Sequence, residues 1–570
     1  MSIVETIVKR IAPHWSARRV SLLLTIIAIV LWSYSTVQAK LNIGFLGLIH
    51  SFPIYFFIAL ALLTVASAIL WVSPENHEKL LFLQWCIIIA AIWLNPLLLG
   101  ATGLGAAPCP NGQFGNIEYI IRQGYLFPVR LIYHNWPTSW IFISVLMEIA
   151  GINDVSLLNA ITPIALQFLF LLPLYLFFRN MLGEDKRNYC WAGLWIFTLG
   201  NWVPQSYLSA QAFGYFLFLV ALFLLIKIVP WQRSEGVPGY QVAYLLPLIL
   251  ILACLPMTHL FTSFMVLAII IALYVAKKAK ASSFSFLPMT MAVFIAAWTI
   301  YGSTWYLRVG LPVFVSQAFR LDVTTAIVVT NYALASDSYQ AIVLARILLG
   351  IIFVGIALAG GILGRKVDRS SNITGLAIAT GPLAIALFFG YGYGAELVHR
   401  IFFFVLPVMA YFGVKLLNRR AWAVILCLLL ILLLPMHIIS HYGAADADRE
   451  SPGEIAGTYF FHDYTTDGIC LAGYMIGKIK YAERYSEHLG EWFHGDLGYP
   501  EGDILGYLNE LPPERPHYVA INRSWKASLK FSCDDTQFVE RVKNSLDNAP
   551  SCTLFYANPD ISLYLHQLKE

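Results

Sequence analysis

The chain has 570 residues, of which 58% are hydrophobic and only 12% charged, with a formal net charge of +4 and a mean hydropathy of +0.68. Soluble domains carry roughly 25% charged residues, so this composition excludes a soluble globular protein and identifies a polytopic α-helical membrane protein. The small net charge does not select a partner, because orientation in a bilayer follows local Lys and Arg placement, and nothing in the chain calls for nucleic acid.

Residues 1–20, MSIVETIVKRIAPHWSARRV, read as a basic cytoplasmic tail suited to anionic membrane lipids, leading into a signal-anchor helix rather than a cleavable leader. A span needs about 20 apolar residues, and about 13 spans are expected between residues 21 and 440. They are Ser21–Ala39, His50–Val72, Lys79–Gly100, Val155–Phe178, Cys190–Trp202, Gln211–Val229, Ala243–Leu255, His259–Ala276, Phe284–Tyr301, Ala341–Leu363, Gly375–Gly390, Ile401–Leu417 and Trp422–Ser440.

The apolar segment Trp136–Ile152 is assigned by charge. Basic clusters lie at 9–19, at Arg179, Lys186 and Arg187, at Lys277, Lys278 and Lys280, at Arg365, Lys366 and Arg369, and at Arg419 and Arg420. All five face the cytoplasm only if Trp136–Ile152 does not cross. It is therefore expected to lie in the interface, where Trp136 and Trp140 are at home. The N-terminus is then cytoplasmic. The loop 101–153, the turn Trp202–Gln211, the loop 304–338, the turn Tyr391–Arg400 and everything after His441 face outward from the cell membrane.

Residues 441–570 regain charge, and strand-like runs such as HYVAINR and CTLFYANPDISLYL alternate with helix-like segments. That pattern predicts a small α/β extracytoplasmic domain, with NPD as a turn between two strands. Of eight cysteines, Cys86, Cys190, Cys254 and Cys427 sit in or beside spans; the others leave a Cys533–Cys552 disulfide open, but spacing alone does not assign partners.

No P-loop, GxGxxG turn, HExxH or GxSxG occurs, which argues against ATP-driven transport, nicotinamide redox and zincin or α/β-hydrolase chemistry. What remains is a set of outward-facing polar residues. Glu118, in GNIEYIIRQG, is placed to act as general base for an acceptor hydroxyl or to hold a divalent cation. Asp154, in NDVSLLN, is either a helix N-cap or a second carboxylate on the same cavity. Tyr133, His134, Asn135 and Trp136 offer either interface anchors or an aromatic and polar surface for a sugar or lipid phosphate. Gln205 and Gln211 lie in a polar turn able to reach a sugar. Glu396 and Arg400, spaced i,i+4 with His399 beside them at the mouth of a span, form either an anchoring ion pair or a phosphate site, with Arg400 gripping the anion and Glu396 orienting it. His259, in LPMTHLFTSF, is either a satisfied core histidine or a further phosphate contact.

The segments YHNWPTSW, NWVPQSYLSAQAFGYFLF, THLFTSF, YGAELVHRIFFFVLP and FYANPDISLYL, in this order, resemble archaeal and bacterial membrane proteins of the GT-C glycosyltransferase superfamily across nearly the whole chain. The resemblance implies transfer of a sugar from a polyprenyl-phosphate donor to a glycan, lipid or protein acceptor on the outer face. It also implies an acidic residue early in the first outer loop, followed by a proline-containing interfacial segment, here HNWPTSWIFISVL. The loop departs from that pattern. PNGQFGNIEYI has Gln113 and Asn116 where an aspartate is usual, leaving Glu118 or Asp154 as the acid. Two readings from other classes stand beside it: a non-catalytic envelope or assembly protein with this fold, and a lipid-linked glycan transporter. The latter is disfavoured by the lack of an inverted repeat.

Overall fold

The computed structural model describes residues 16–100, 114–128, 132–152, 155–203, 207–228, 238–276, 285–317, 332–333, 335–364, 369–389, 396–449, 451–465, 468–472, 488–492, 503–533 and 537–567. Its helices in order are α1 (Ala17–Gln38), α2 (Ile54–Trp71), α3 (Glu78–Leu98), α4 (Phe114–Gln123), α5 (Thr138–Ala150), α6 (Val155–Leu182), α7 (Arg187–Gly200), α8 (Ala210–Ile228), α9 (Pro238–Thr258) and α10 (Leu260–Ala276). They continue as α11 (Leu287–Gly302), α12 (Thr304–Gln317), α13 (Asp337–Leu363), α14 (Arg369–Phe389), α15 (Glu396–Val414) and α16 (Arg420–Tyr442).

Among the described residues, eight helices are long and apolar enough to cross a bilayer, and a ninth span arises if the bent pair α11 and α12 is counted as one. The protein is a multi-pass membrane protein. Helix α5 has 13 residues and is about 20 Å long, short of a hydrocarbon core of about 30 Å. Helix α7 has 14 residues and is buried on nearly every side, so it is a central strut of the bundle. The expected loop 304–338 is not all loop. The chain turns by 102° after α11 and runs on as α12, because the π turn Trp298–Gly302 breaks the helix without releasing the chain into solvent.

Helices in lipid associate through close packing and buried polar contacts, and both are present. Gln84 Nε2 donates to Ser21 Oγ and Thr25 Oγ1, each at 2.8 Å, while Gln84 Oε1 accepts from Ser67 Oγ at 2.8 Å, tying α1, α2 and α3 together. Tyr215 of α8 stacks on Phe403 of α15 at 3.6 Å and donates to its carbonyl at 3.0 Å. A Cβ on Gly360 of α13 would sit 1.9 Å from the Phe412 carbonyl oxygen of α15, so only glycine permits that approach.

The tail begins with α17 (Pro452–Tyr464) and continues with β1 (Gly468–Ala472), β2 (His488–Trp492), α18 (Ile504–Glu510), β3 (His517–Asn522), α19 (Arg523–Cys533), α20 (Phe538–Asn548), β4 (Cys552–Asn558) and β5 (Ile561–His566). The sheet order is β2-β1-β3-β5-β4, with β1 parallel to β2 and β3, and β5 antiparallel to β3 and β4. Asn558 Oδ1 accepts from the Asp560 and Ile561 amides at 2.9 and 3.0 Å, which makes NPD the β4–β5 turn. The Cys552 thiol is free among the described residues, and the side chain of Cys533 lies outside them. Ser336 joins tail to bundle: it caps α13 by accepting from Tyr339 N and donates to the Phe531 carbonyl at 2.7 Å.

Candidate functional site

The outer loop is built around α4. Helix α4 is amphipathic and ends where Gly124 takes φ +72°, the left-handed stop that glycine adopts without strain. Its buried Ile117 packs with Trp140, Ile143 and Met147 of α5 and with Leu208 and Ala210 at the start of α8. Glu118, the next residue, is half-buried on this platform.

His134 fastens the loop to the helix. It is 2% exposed; its Nδ1 accepts from the Phe127 amide at 2.9 Å and its Nε2 donates to the Asn116 carbonyl at 3.2 Å. Burial pushes its pKa down to about 4, so at neutral pH the imidazole is uncharged and the tautomer is fixed by these two bonds. Asn135 is equally buried, donates to the Pro128 carbonyl at 3.0 Å, and its own carbonyl accepts from Trp298 Nε1 at 3.0 Å. Trp136 meets Tyr306 edge-on at 5.0 Å. The bent pair α11 and α12 thus braces the loop. His134 and Asn135 spend polar atoms on this scaffold, whereas Tyr133 stays exposed.

The second half is the end of α15. Its first residue is Glu396, whose side chain lies outside the described residues, and half-buried His399 and Arg400 follow in its first turns. The His399 ring stands edge-on to the Trp202 indole at 5.2 Å. His259, between α9 and α10, caps α10: its Nδ1 accepts from the Thr262 amide at 3.3 Å and lies 2.8 Å from Thr262 Oγ1. Arg400 acts electrostatically on His259, which places the two in one neighbourhood. Gly214 lets α8 approach His259 closely, since a Cβ there would lie 2.9 Å from His259 Cβ.

The turn between α7 and α8 touches both halves. Leu208 and Ala210 belong to the same buried cluster as Ile117, the neighbour of Glu118, while Trp202 packs on His399 beside Arg400. Its amides are buried and incompletely used: among the described residues Asn201 Oδ1 and Gln211 Nε2 have no hydrogen-bond partner, although Asn201 Nδ2 reaches Gln167 Oε1 at 3.5 Å. Gln205 and Asp154 lie outside the described residues.

Three residues that sequence reasoning passed over stand here. Arg346 of α13 approaches the Trp202 indole at 5.9 Å, and its sequence signal was plain, a charge inside an apolar span. His437 and His441 of α16 donate from Nδ1 to the Leu199 and Trp202 carbonyls at 2.9 and 3.2 Å, fixing the exit of α7; they offered only their i,i+4 spacing. Among the described residues no three His, Cys, Asp or Glu side chains gather to hold a metal ion.

No protein-family model and no curated protein matches the chain. Solved structures do. ArnT from Cupriavidus metallidurans bound to undecaprenyl phosphate aligns over 85% of this chain and 97% of its own, with a TM-score of 0.52 and 9% identity. The Archaeoglobus fulgidus oligosaccharyltransferase in the apo form aligns over 81% of this chain and 72% of its own, with a TM-score of 0.48 and 13% identity. The chain therefore shares the polytopic helical fold of the Cupriavidus ArnT structure, with a small mixed sheet at its C-terminus.

Proposed function

We propose that the protein transfers a glycosyl group from a polyprenyl-phosphate donor to an acceptor hydroxyl at the outer membrane face, with the N-terminus in the cytoplasm and the tail outside. Glu118 takes the acceptor O–H proton as the acceptor oxygen bonds to the anomeric carbon. The anomeric carbon–oxygen bond to phosphate breaks, and the electron pair leaves with polyprenyl phosphate. Arg400, next to His259, neutralises the leaving phosphate. A fixed cation in a water-poor site is worth about 3–4 kcal/mol to such a step. Asn201 and Gln211 supply amide groups for sugar hydroxyls. Asp154 is the alternative base.

The observation that supports this reading most is the connection between α7 and α8, whose Leu208 and Ala210 share a buried cluster with Ile117, the residue before Glu118, and whose Trp202 packs on His399, the residue before Arg400. The fold likeness supports it further, in that the Cupriavidus ArnT was solved with undecaprenyl phosphate bound. The test is transfer of radiolabelled sugar from a polyprenyl-phosphate donor in proteoliposomes of the full chain. Transfer that Arg400→Ala and Glu118→Gln each abolish supports the reading. Equal transfer by native and both variants overturns it. No transfer by the native chain from any polyprenyl-phosphate sugar leaves a non-catalytic assembly protein, the reading that Gln113 and Asn116 favour.

A further inference from the structure

Arg346 sits in the third turn of α13, inside an apolar span. Its Nε donates to the Ser440 carbonyl of α16 at 2.9 Å, and its guanidinium carbon lies 5.9 Å from the centre of the Trp202 ring. Among the described residues no other hydrogen bond and no ion pair reaches this group, so both Nη atoms keep all their donors. Asp448 acts on it only through space. The neighbouring titratable groups are His441, which faces it from α16, and Tyr339 on its own helix.

A cation beside hydrocarbon with no counter-ion is costly and is normally paired. A guanidinium offers a planar fork that matches two phosphate oxygens. One bond to Ser440 and one aromatic face position this fork, and among the described residues no acceptor engages its Nη atoms. The same indole carries His399 on another side, so the fork borders the Arg400 neighbourhood.

We propose that Arg346 is a second anion-binding residue, which seats a phosphate group against the Trp202 indole. The phosphate belongs to a lipid headgroup, or free phosphate takes the same place. This proposal rests on binding alone and stands whether or not sugar is transferred.

The test is thermal unfolding of the full-length protein in neutral-lipid nanodiscs, titrated separately with inorganic phosphate, undecaprenyl phosphate and undecaprenol, and repeated with phosphatidylglycerol in the disc. The native Tm is expected to rise by several degrees with a phosphate-bearing species and not with undecaprenol. Inorganic phosphate, polyprenyl phosphate or phosphatidylglycerol is identified by which arm gives the rise. Arg346→Met should lose this rise while unfolding at or above the native Tm without anion, since a methionine removes the unpaired charge and keeps the volume. Arg346→Lys should retain part of the rise. A purely structural role predicts the opposite, a lower Tm for Arg346→Met without anion and an unchanged anion response. Absence of any phosphate-dependent rise in the native protein, or an equal rise in Arg346→Met, overturns the proposal. Native mass spectrometry of the unsubstituted protein gives an independent reading, expected to show a retained phosphate-bearing species and overturning the proposal if it shows none.

Discussion

The ring of His399 meets the indole of Trp202 with centroids 5.2 Å apart and planes at 74°. This edge-to-face contact joins the end of α7 to the first turns of α15, and Arg400 is the next residue. Such a pair adds about 0.5–1.5 kcal/mol beyond area burial. Trp202→Ala is expected to lower transfer by about tenfold and Arg400→Ala by about 10²–10³-fold, from the loss of a fixed cation at the leaving phosphate. Trp202→Phe should keep most of the activity. Initial rates with a saturating acceptor measure all three, and an Arg400→Ala rate within twofold of native removes the phosphate role.

Glu118 is half-buried on α4 with Ile117 and Tyr119 buried beside it. Removing a general base costs about 10²–10⁴-fold. Glu118→Gln keeps the shape and is expected to lose that factor in kcat with donor affinity unchanged. If kcat survives and donor affinity falls instead, Glu118 is a binding group and Asp154 becomes the base to test.

The fastening of the loop by His134 is pH-dependent. Its native pKa of about 4 lies below the ordinary 6.5, so the unfolded loop binds the proton more readily. The stabilisation is complete above pH 6.5 and is lost progressively as pH falls from 6.5 to about 4, amounting to about 3 kcal/mol over that window. Amide hydrogen exchange across residues 114–135 is expected to accelerate at pH 5 relative to pH 7.5, after correction for intrinsic rates. His134→Phe should exchange fast at both values.

Gly214 of α8 faces His259 and Thr262, where an added Cβ would lie 2.9 Å from His259 Cβ and 3.1 Å from Thr262 Oγ1. Gly214→Ala is expected to cost about 1–3 kcal/mol of stability through overpacking and to displace His259. Both a lower Tm and a weaker response to polyprenyl phosphate should follow. A Tm equal to native would show that α8 shifts freely.

The membrane class, the apolar helix after Pro137 and the NPD turn were legible because each depends on local chemistry. Apolar length decides a span, and Asn and Pro decide a turn. The strut α7 was read from the sequence as the span Cys190–Trp202, but its burial on nearly every side was not legible, because that depends on the neighbours packed around its 14 residues. The α11–α12 bend was hidden because an apolar run looks the same straight or broken. His134 and Asn135 looked like ligand residues because polarity marks both a ligand donor and a backbone staple.

The sequence by itself determined that the chain lives in a bilayer, which runs of it are apolar, and which few charges it places among them, because hydrophobicity and charge are properties of each residue alone. Only the tertiary structure decided that Trp202 carries both His399 and Arg346, that Gln211 keeps a buried donor unspent, and that His134 holds the loop. Those are relations across more than a hundred residues in some cases and across a turn in others. They arise when helices pack, and packing is set jointly by every side chain in the contact rather than by any one stretch.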